Sequence, residues 1–413
     1  MFLTAGEWPA QKGLLVSQVY ETARALQAQG HQVSWFASIP LPSYLKRRVL
    51  RDKDLKGIEA SCRENGIAFA HAIAPVTLGS PYSMPLRRYW HQRLARRALA
   101  HLRAQPAASG GTILHARSYY AAEIGVMLRE LALADGRRDT IASFDMRSFL
   151  GPESPMAHGA LGTAVYGFIK AMEYDLVKSS DASFLPVNVG RRQYNEETGL
   201  MIHYAPIQGM ERELGWAVDF DRRWAARRIG YSGSIGQWHD PDLLRAIFDL
   251  FPALTPQLAA RRIDAFEGLD CTLYKPSELA GYYDGLLALV IPGLAQIDGY
   301  YRTLQMRCNL FSTKAAEALS RGVPLIVSSE LQELADFVRT HACGLVVEVE
   351  RGRPALPAGV DVDDPQLWRQ LSEGAAQVGA RFTRQAVIDI YTSAWAEAMA
   401  RRTGLTQAQR EHP

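Results

Sequence analysis

FSTKAAEALSRGVPLIVSSE, residues 311–330, combines a short alanine-rich helix, a Gly-Val-Pro break and a β-branched strand. Small hydroxyl residues and a lysine open the helix, and serine or threonine is a preferred N-cap. Gly322 is expected to end the helix, and the apolar run after it is typical of a buried parallel strand. The unpaired N–H groups at a helix start attract anions. The stretch therefore predicts an α/β unit that holds an anionic ligand.

Strands alternate with helices on both sides of this stretch, which predicts parallel sheets built from βαβ units. In the first half we expect strands over 2–6, 31–38, 112–118, 140–148 and 182–188, and helices over 11–30, 119–132 and about 160–180. In the second half we expect a strand over 227–236, a helix over 240–251, a helix and then a strand within 277–293, and a strand over 343–349.

A chain of 413 residues is too long for one ordinary domain. The predicted fold class is α/β, with two Rossmann-like, doubly wound domains that face each other across a cleft. We expect the first domain to span 1–205 and the second 206–384. Residues 385–413 are expected to form a helix that crosses back to the first domain, followed by a frayed end.

The composition is that of a soluble globular protein, with 47% hydrophobic and 22% charged residues. No apolar run is long enough for a transmembrane helix, and the first residues do not have the pattern of a secretory signal. The four cysteines are scattered and form no CxxC or Cys/His cluster. This favours reduced thiols in a cytoplasmic protein and argues against a zinc site.

The two halves differ in charge. Residues 1–205 carry 24 Lys and Arg against 17 Asp and Glu, whereas the remainder carries 22 against 26. The basic excess lies mainly in residues 44–56 and 85–103, where tyrosine and tryptophan are interleaved. These runs are either solvated helix faces or a surface for anionic lipid headgroups or a phosphorylated acceptor. No nucleic-acid recognition motif occurs, so we expect no nucleic-acid partner.

Seven segments in this order resemble the two-Rossmann (GT-B) glycosyltransferases of the family-4 type. They are QKGLLVSQVYETARALQAQGHQVSWF, ILHARSYYAA, FDMRSFLGPES, KAMEYDLVKSSDASFLPVN, GYSGSIGQWHD, SELAGYYDGLLALVIP and FSTKAAEALSRGVPLIVSS. The resemblance implies that a sugar moves from a nucleotide-diphosphate donor to an acceptor hydroxyl, with retention of configuration. It also implies that no metal or other cofactor is needed. The acceptor would be a carbohydrate, a lipid-linked sugar or a small molecule, as in polysaccharide or glycolipid assembly.

In that family the helix that corresponds to the one in residues 311–330 binds the donor at its N-terminus. The resemblance places Ser312, Thr313 and Lys314 at the diphosphate, and Glu317 at both ribose hydroxyls, since a carboxylate accepts two hydrogen bonds. The alternatives are a plain serine N-cap with an exposed lysine, and a solvated glutamate. Gly233 and Ser234, in the turn GYSGSIG, are also expected at the donor.

The resemblance gives the first domain three catalytic candidates. His115 is expected at the end of its strand, where ligands of open α/β sheets collect, with its imidazole toward the donor sugar and the leaving phosphate. Asp145 and Arg147 lie on one face of the next predicted strand. They form either an internal ion pair or an acceptor site in which the carboxylate orients or deprotonates the acceptor hydroxyl.

The chain departs from the family at the donor site. Asn309 stands where many members have a glutamate that contacts the transferred sugar, which puts the choice of sugar, or activity itself, in question. Many members also clamp the phosphates with Arg and Lys near the GSIG turn, and here we expect Lys314, or next Arg302, to supply the cation. Gly13 would let backbone approach the diphosphate from the first domain.

Two rival functions remain. A nucleotide-sugar 2-epimerase of the same fold would act on the donor without an acceptor, and a non-catalytic homologue would bind the sugar nucleotide only. Other enzyme classes lack their motifs, since no G-x-S-x-G, HExxH or Walker sequence occurs.

Overall fold

A computed structural model gives the architecture of the chain. It describes residues 1–9, 16–46, 51–75, 84–106, 110–213, 215–233, 239–275, 278–293 and 311–404. The chain divides into two compact units. Unit 1 contains Met1–Leu185, Arg191–Ala205 and Ile388–Pro413, and unit 2 contains Pro186–Gly190 and Pro206–Val387.

Unit 1 is built on a parallel sheet with the strand order β3-β2-β1-β4-β5-β6-β7 in the described part of the chain. Its strands are β1 Phe2–Ala5, β2 Ser34–Pro40, β3 Ala68–Ala74, β4 Thr112–Arg117, β5 Thr140–Asp145, β6 Ala182–Leu185 and β7 His203–Tyr204. The helices between them are α1 Glu21–Ala28, α2 Leu41–Lys46, α3 Arg51–Glu64, α4 Met84–Arg103, α5 Tyr119–Ala134, α6 Leu150–Ser179 and α7 Asn188–Thr198. A π-helical turn, Val16–Tyr20, precedes α1, and Gly159 interrupts α6.

Unit 2 repeats this plan, with the strand order β10-β9-β8-β11-β12-β13-β14 in the described residues. The strands are β8 Arg228–Ser232, β9 Thr255–Ala259, β10 Asp270–Cys271, β11 Ala288–Ile291, β12 Leu325–Ser328, β13 Gly344–Glu350 and β14 Arg353–Ala355. Of these, β14 pairs antiparallel with β13 and the other pairs are parallel. The helices are α8 Phe220–Ala226, α9 Pro241–Asp249, α10 Leu279–Asp284, α11 Thr313–Ser320, α12 Gln332–His341 and α13 Pro365–Gly379, and the last helix, α14 Arg384–Thr403, continues into unit 1.

Both sheets have the order of a Rossmann fold, in which the strand sequence reverses at a switch point. The reversal lies between β1 and β4 in unit 1 and between β8 and β11 in unit 2. The predicted α/β class and the two Rossmann-like units are confirmed. In such sheets ligands bind beyond the carboxyl ends of the strands at this point.

Local sequence explains where the main helices of unit 2 begin. Asp240 and Asp364 cap α9 and α13 with their carboxylates, and each is followed by a proline at the start of the helix. The strands β11 and β12 are buried along their whole length, which accounts for their continuous apolar sequences. Among the described residues, none of the helices has the length and apolar character that crossing a membrane requires.

Candidate functional site

In unit 2, the end of β8 and the start of α11 lie together at the carboxyl edge of the sheet. Gly233 follows β8 with a φ of +97°, a conformation that favours glycine. A Cβ at this position would lie 3.5 Å from Cε and Nζ of Lys314. The Ser312 hydroxyl oxygen accepts a hydrogen bond of 3.2 Å from the Ala315 amide and so caps α11, with Thr313 as the first helical residue. The structure thus brings the predicted Gly-turn and helix start together.

Lys314 is not the exposed lysine of the alternative interpretation. Its Nζ donates to the Tyr231 hydroxyl at 3.2 Å and lies 4.5 Å from the centre of the Tyr231 ring. It is also 3.1 Å from Nε2 of His239. Burial lowers the pKa of the ammonium to about 8, opposed by the charge of Glu317. Within the described residues Lys314 forms no ion pair, so its charge is available to an anionic ligand.

His239 holds the ammonium as a neutral group. Burial, and then the charge of Lys314, lower the pKa of the imidazole to about 3. A neutral ring with Nε2 accepting from Lys314 carries its proton on Nδ1. This Nδ1 has no hydrogen-bond partner among the described residues. The site therefore presents a second buried donor beside the lysine.

Glu317 lies one turn after Lys314 on α11 and is half-buried, so it is not a solvated helix carboxylate. Its Oε2 accepts a hydrogen bond of 2.8 Å from the Tyr283 hydroxyl. Burial raises the pKa of Glu317, while the Tyr283 bond and the Lys314 charge favour the ionised form. A cation and a carboxylate thus lie one turn apart on the same helix.

Two arginines satisfy the opposite end of α11. The guanidinium of Arg223, which is 2% exposed, donates to the carbonyl of Gly322 at 2.6 Å and to that of Arg321 at 2.7 Å. Arg212 donates to the carbonyl of Ser320 at 2.6 Å. Cations at the C-terminus complement the helix dipole and fix the helix in place. No local sequence pattern predicts these contacts, because both arginines are about 100 residues earlier in the chain.

In unit 1, Arg117 ends β4 beside β1, at the switch point. Its Nε donates to Oε2 of Glu7 at 3.1 Å, and Nη1 donates to Oε1 of Gln18 at 2.6 Å. The side chain is buried. Arg117 therefore forms an ion pair with Glu7.

Asp145 ends β5 and pairs in register with Arg117. Its Oδ2 accepts from Nη1 of Arg147 at 3.2 Å, so the predicted ion pair is present. The other oxygen, Oδ1, is buried without a hydrogen-bond partner among the described residues. Burial alone would lower the pKa of the Arg147 guanidinium, but the charge of Asp145 and of neighbouring groups outweighs burial and raises this pKa. Arg147 and Ser118 have φ values of 66° and 69°, strained conformations that cluster at functional sites.

His115 lies two residues before the end of β4. It is the fourth of six residues in β4, and its ring packs against α14, 4.8 Å from the Tyr391 ring and 5.2 Å from the Trp395 ring. Its Nδ1 lies 3.1 Å from the Ser143 hydroxyl, which accepts a hydrogen bond from Trp395. Burial lowers the pKa of the imidazole to about 4. The sequence predicted that the last helix returns to the first domain, but not that its Tyr391 and Trp395 rings pack on His115.

A cavity of about 510 Å³ in unit 1 lies at the edge of the sheet where the strands begin, opposite the carboxyl ends of the strands. It is lined by residues before β2 and β4, such as Gln32 and Gly111, together with His115 and Trp395. Because ligands of Rossmann sheets bind at the carboxyl edge, this cavity is separate from the candidate site.

Four residues that the sequence predicted at the donor lie outside the described residues, namely Gly13, Ser234, Arg302 and Asn309.

Comparison of the whole fold identifies its class. A sucrose-phosphate synthase from Thermosynechococcus elongatus is 15% identical, covers 97% of this chain and 99% of its own, and has a TM-score of 0.62. A glycosyltransferase from Rickettsia africae ESF-5 is 10% identical over 96% and 98% of the two chains, with a TM-score of 0.57. The catalytic domain of starch synthase IV from Arabidopsis thaliana, bound to ADP and acarbose, is 11% identical over 97% and 99%, with a TM-score of 0.55.

These likenesses establish the GT-B fold of glycosyltransferases, with its two Rossmann-like units. No protein-family model matches the sequence, and no curated protein matches it either. The fold implied by the sequence resemblance is therefore confirmed.

Proposed function

We propose that this protein is a retaining, metal-independent glycosyltransferase that moves a sugar from a nucleotide-diphosphate donor to an acceptor hydroxyl. The observation that carries the proposal is the pairing of Lys314 and Glu317 on α11 beside the Gly233 turn. The fold supports it, because starch synthase IV of the same fold binds ADP. Retention and metal independence follow from the resemblance to family-4 enzymes.

The donor site supplies complementary groups for each part of a nucleotide diphosphate. The start of α11, with Ser312, Thr313 and Lys314, stabilises the diphosphate through N–H groups and a cation. The Nδ1–H of His239 adds a neutral donor. Glu317 accepts from the ribose hydroxyls. As the glycosidic bond breaks, negative charge grows on the diphosphate, and the Lys314 ammonium stabilises that charge.

The acceptor site is the carboxyl edge of unit 1. Oδ1 of Asp145 accepts the hydrogen bond of the acceptor hydroxyl and orients it, while Arg147 pairs with Oδ2. In this proposal His115 packs α14 and does not contact the donor sugar. Catalysis is then mainly positioning and electrostatic stabilisation, without a protein nucleophile.

Ligand-induced shifts of the thermal midpoint test the donor assignment. We expect UDP, ADP or GDP, or one of their sugars, to raise the midpoint, because a ligand that binds only the folded state stabilises it. The shift should disappear in Lys314→Met and Glu317→Gln. The matched control is Lys275→Met, since that lysine is 80% exposed. No shift with any nucleotide diphosphate overturns the assignment.

Product analysis separates the rival activities. A transferase releases the nucleotide diphosphate only slowly without an acceptor and forms a glycosylated product when the acceptor is present. A 2-epimerase changes the donor sugar alone, and a binding protein changes nothing. Formation of an epimerised sugar from the donor in the absence of any acceptor would contradict the proposal.

The acceptor or its carrier lies at an anionic membrane surface in this proposal, and α4 is the contact. The helix contains no acidic residue. Four of its arginines are exposed and form no ion pair within the described residues, Arg88, Arg93, Arg96 and Arg97. Leu86 and Tyr89 are 57% and 52% exposed at its start. Uncompensated arginines beside exposed apolar side chains are typical of a peripheral lipid-binding face.

Vesicle sedimentation tests this contact. We expect the protein to pellet with phosphatidylglycerol-containing vesicles at low salt and not with pure phosphatidylcholine vesicles. A triple substitution in α4, Arg88→Gln, Arg96→Gln and Arg97→Gln, should abolish pelleting. The matched control neutralises exposed arginines of unit 2, Arg222→Gln, Arg261→Gln and Arg262→Gln. Equal loss in both variants would show a general charge effect only.

The free thiols support a cytoplasmic location in this proposal. Cys62, Cys271 and Cys343 are free cysteines. Burial raises the pKa of the Cys62 and Cys343 thiols to about 12, so both are unreactive. Free buried thiols are typical of a reducing compartment, and we place the protein in the cytoplasm, peripheral to the membrane.

A further inference from the structure

Three buried side chains from different elements of unit 2 form a hydrogen-bonded chain. The Ser232 hydroxyl, at the end of β8, lies 2.8 Å from the Tyr283 hydroxyl of α10. The Tyr283 hydroxyl lies 2.8 Å from Oε2 of Glu317 on α11. Ser232 is 5% exposed and Tyr283 is fully buried. The chain connects the Gly233 turn to the carboxylate of the donor site.

The direction of the two bonds follows from the chemistry of the groups. An ionised carboxylate only accepts, so the Tyr283 hydroxyl donates to Glu317. Burial, together with the charge of Glu317, raises the pKa of Tyr283 well above its usual value, so the phenol keeps its proton. With its single proton committed to Glu317, Tyr283 accepts from Ser232. The order is therefore Ser232 to Tyr283 to Glu317.

In this arrangement the two carboxylate oxygens of Glu317 have different environments. Tyr283 occupies Oε2 from inside the core, and the carboxylate can then present its remaining acceptor capacity to a ligand. A free glutamate has several rotatable bonds, whereas Tyr283 is fixed by packing around its ring, for example 5.4 Å from the ring centre of Tyr282. A bond from a rigid donor holds the carboxylate in one orientation at little entropic cost.

We propose that Tyr283, supported by Ser232, is the positioning residue that orients Glu317 toward the ribose diol of the donor. The inference rests on the proposed function, because it assumes that Glu317 binds ribose. Tyr283 does not contact the ligand. Its effect is therefore confined to the part of the affinity that depends on the ribose hydroxyls.

The test compares nucleotides with and without those hydroxyls. Dissociation constants of UDP, ADP and GDP, and of their 2′,3′-dideoxy counterparts, are measured by calorimetry for the wild type and for Tyr283→Phe. The wild type should prefer a ribonucleotide, since a site built to bind hydroxyls rejects the analogue that lacks them. Tyr283→Phe should weaken the ribonucleotide by about tenfold, the effect of one lost hydrogen bond to a charged group. Its affinity for the dideoxy nucleotide should stay unchanged.

The neighbouring residue provides a matched control. Tyr282 is buried on the same helix, but its hydroxyl donates to the backbone carbonyls of Tyr231 and Gln257. Tyr282→Phe makes the same chemical change without touching Glu317. It should leave the ribose-to-dideoxyribose ratio at the wild-type value. A variant that removes Glu317 itself, Glu317→Gln, sets the lower limit of the ratio.

The outcomes separate the two levels of the argument. If the wild type binds none of the nucleotides, the proposed function fails and this inference fails with it. If the wild type prefers ribonucleotides and Tyr283→Phe keeps the full preference, only the positioning role is overturned. Equal weakening of both nucleotide types also overturns it, because that result indicates a general packing role. If Tyr283→Phe does not fold, Ser232→Ala is measured instead. A lower ratio of ribonucleotide to dideoxynucleotide affinity in this variant supports the positioning role, and an unchanged ratio overturns it.

Discussion

Lys314 is an ammonium held by an aromatic ring and a neutral imidazole. Tyr231 and His239 satisfy its protons without neutralising its charge. Burial of such a cation costs free energy, which appears as the lowered pKa of about 8. In the proposed function, pairing with the diphosphate of the donor offsets that cost. At the residue scale, Lys314 is therefore a partly buried cation whose hydrogen-bond partners are both neutral.

The pH dependence of donor binding follows from this pKa. Only the protonated lysine attracts the diphosphate, so affinity should fall as the pH rises through about 8. Between about pH 7.5 and about pH 9.5 we expect a loss of about 25-fold in nucleotide-diphosphate affinity, measured by calorimetry. In Lys314→Met the affinity should be low and nearly constant over the same range. A parallel pH dependence in wild type and variant would contradict the assignment.

His115 should make the protein sensitive to acid. Its pKa is about 4 in the folded state against an ordinary value of 6.5, so the unfolded chain binds the extra proton between these values. Its contribution, ~3 kcal/mol, is present above about pH 6.5 and is lost as the pH falls toward about 4. Urea unfolding at several pH values should show a shallower loss in His115→Gln than in wild type. His31→Gln is the control, since His31 is exposed.

At the scale of elements, α11 is the helix that the proposed function assigns to the donor, and its two ends are satisfied differently. The start is capped by Ser312, whereas the carbonyl groups at the end accept hydrogen bonds from Arg212 and from the buried Arg223. The sequence predicted the start, because an N-cap pattern is local. It could not predict the end, because Arg212 and Arg223 are about 100 residues earlier.

Strands β3 and β9, with the sequences AFAHAIA and TPQLA, are not predicted by the sequence either, since neither has a β-branched run.

Removing the guanidinium of Arg223 should destabilise this helix. In Arg223→Met three carbonyl groups lose a donor, those of Asp284, Arg321 and Gly322. The Gly322 carbonyl keeps the hydrogen bond from the Ser372 hydroxyl, so we expect the free energy of unfolding to fall by about 2–4 kcal/mol, mainly from the carbonyl groups of Asp284 and Arg321. Chemical unfolding followed by circular dichroism measures the effect. Arg222→Met, at an exposed neighbouring position, should change stability by less than about 0.5 kcal/mol.

At the scale of the molecule, the chain builds the same Rossmann order twice and returns to its first unit at the end. The last helix, α14, follows unit 2 in sequence, but from Ile388 onward it belongs to unit 1. It buries Tyr391 and Trp395 against the sheet, and Arg402 pairs with Asp181. Unit 1 therefore cannot complete its core until the end of the chain is made.

Truncating one side chain of α14 tests this dependence. Trp395→Ala should lower the free energy of unfolding by about 3–5 kcal/mol, because it leaves a cavity beside His115 and removes the bond to Ser143. Met201→Ala, at a position of unit 1 that is 68% exposed, is the control and should be nearly neutral. Equal stability of the two variants in urea unfolding would show that α14 contributes little to unit 1.

The sequence by itself determined the alternation of strands and helices, the two Rossmann-like units, and the placement of Lys314 and Glu317 one turn apart on a short helix. These are local properties, set by hydrophobic period, capping residues and spacing. The tertiary structure alone decided that His115 is buried under α14, that Lys314 rests on Tyr231 and His239, and that Tyr283 holds Glu317. Burial and hydrogen-bond partners come from residues distant in the chain, and these partners set the charge and orientation of each functional group.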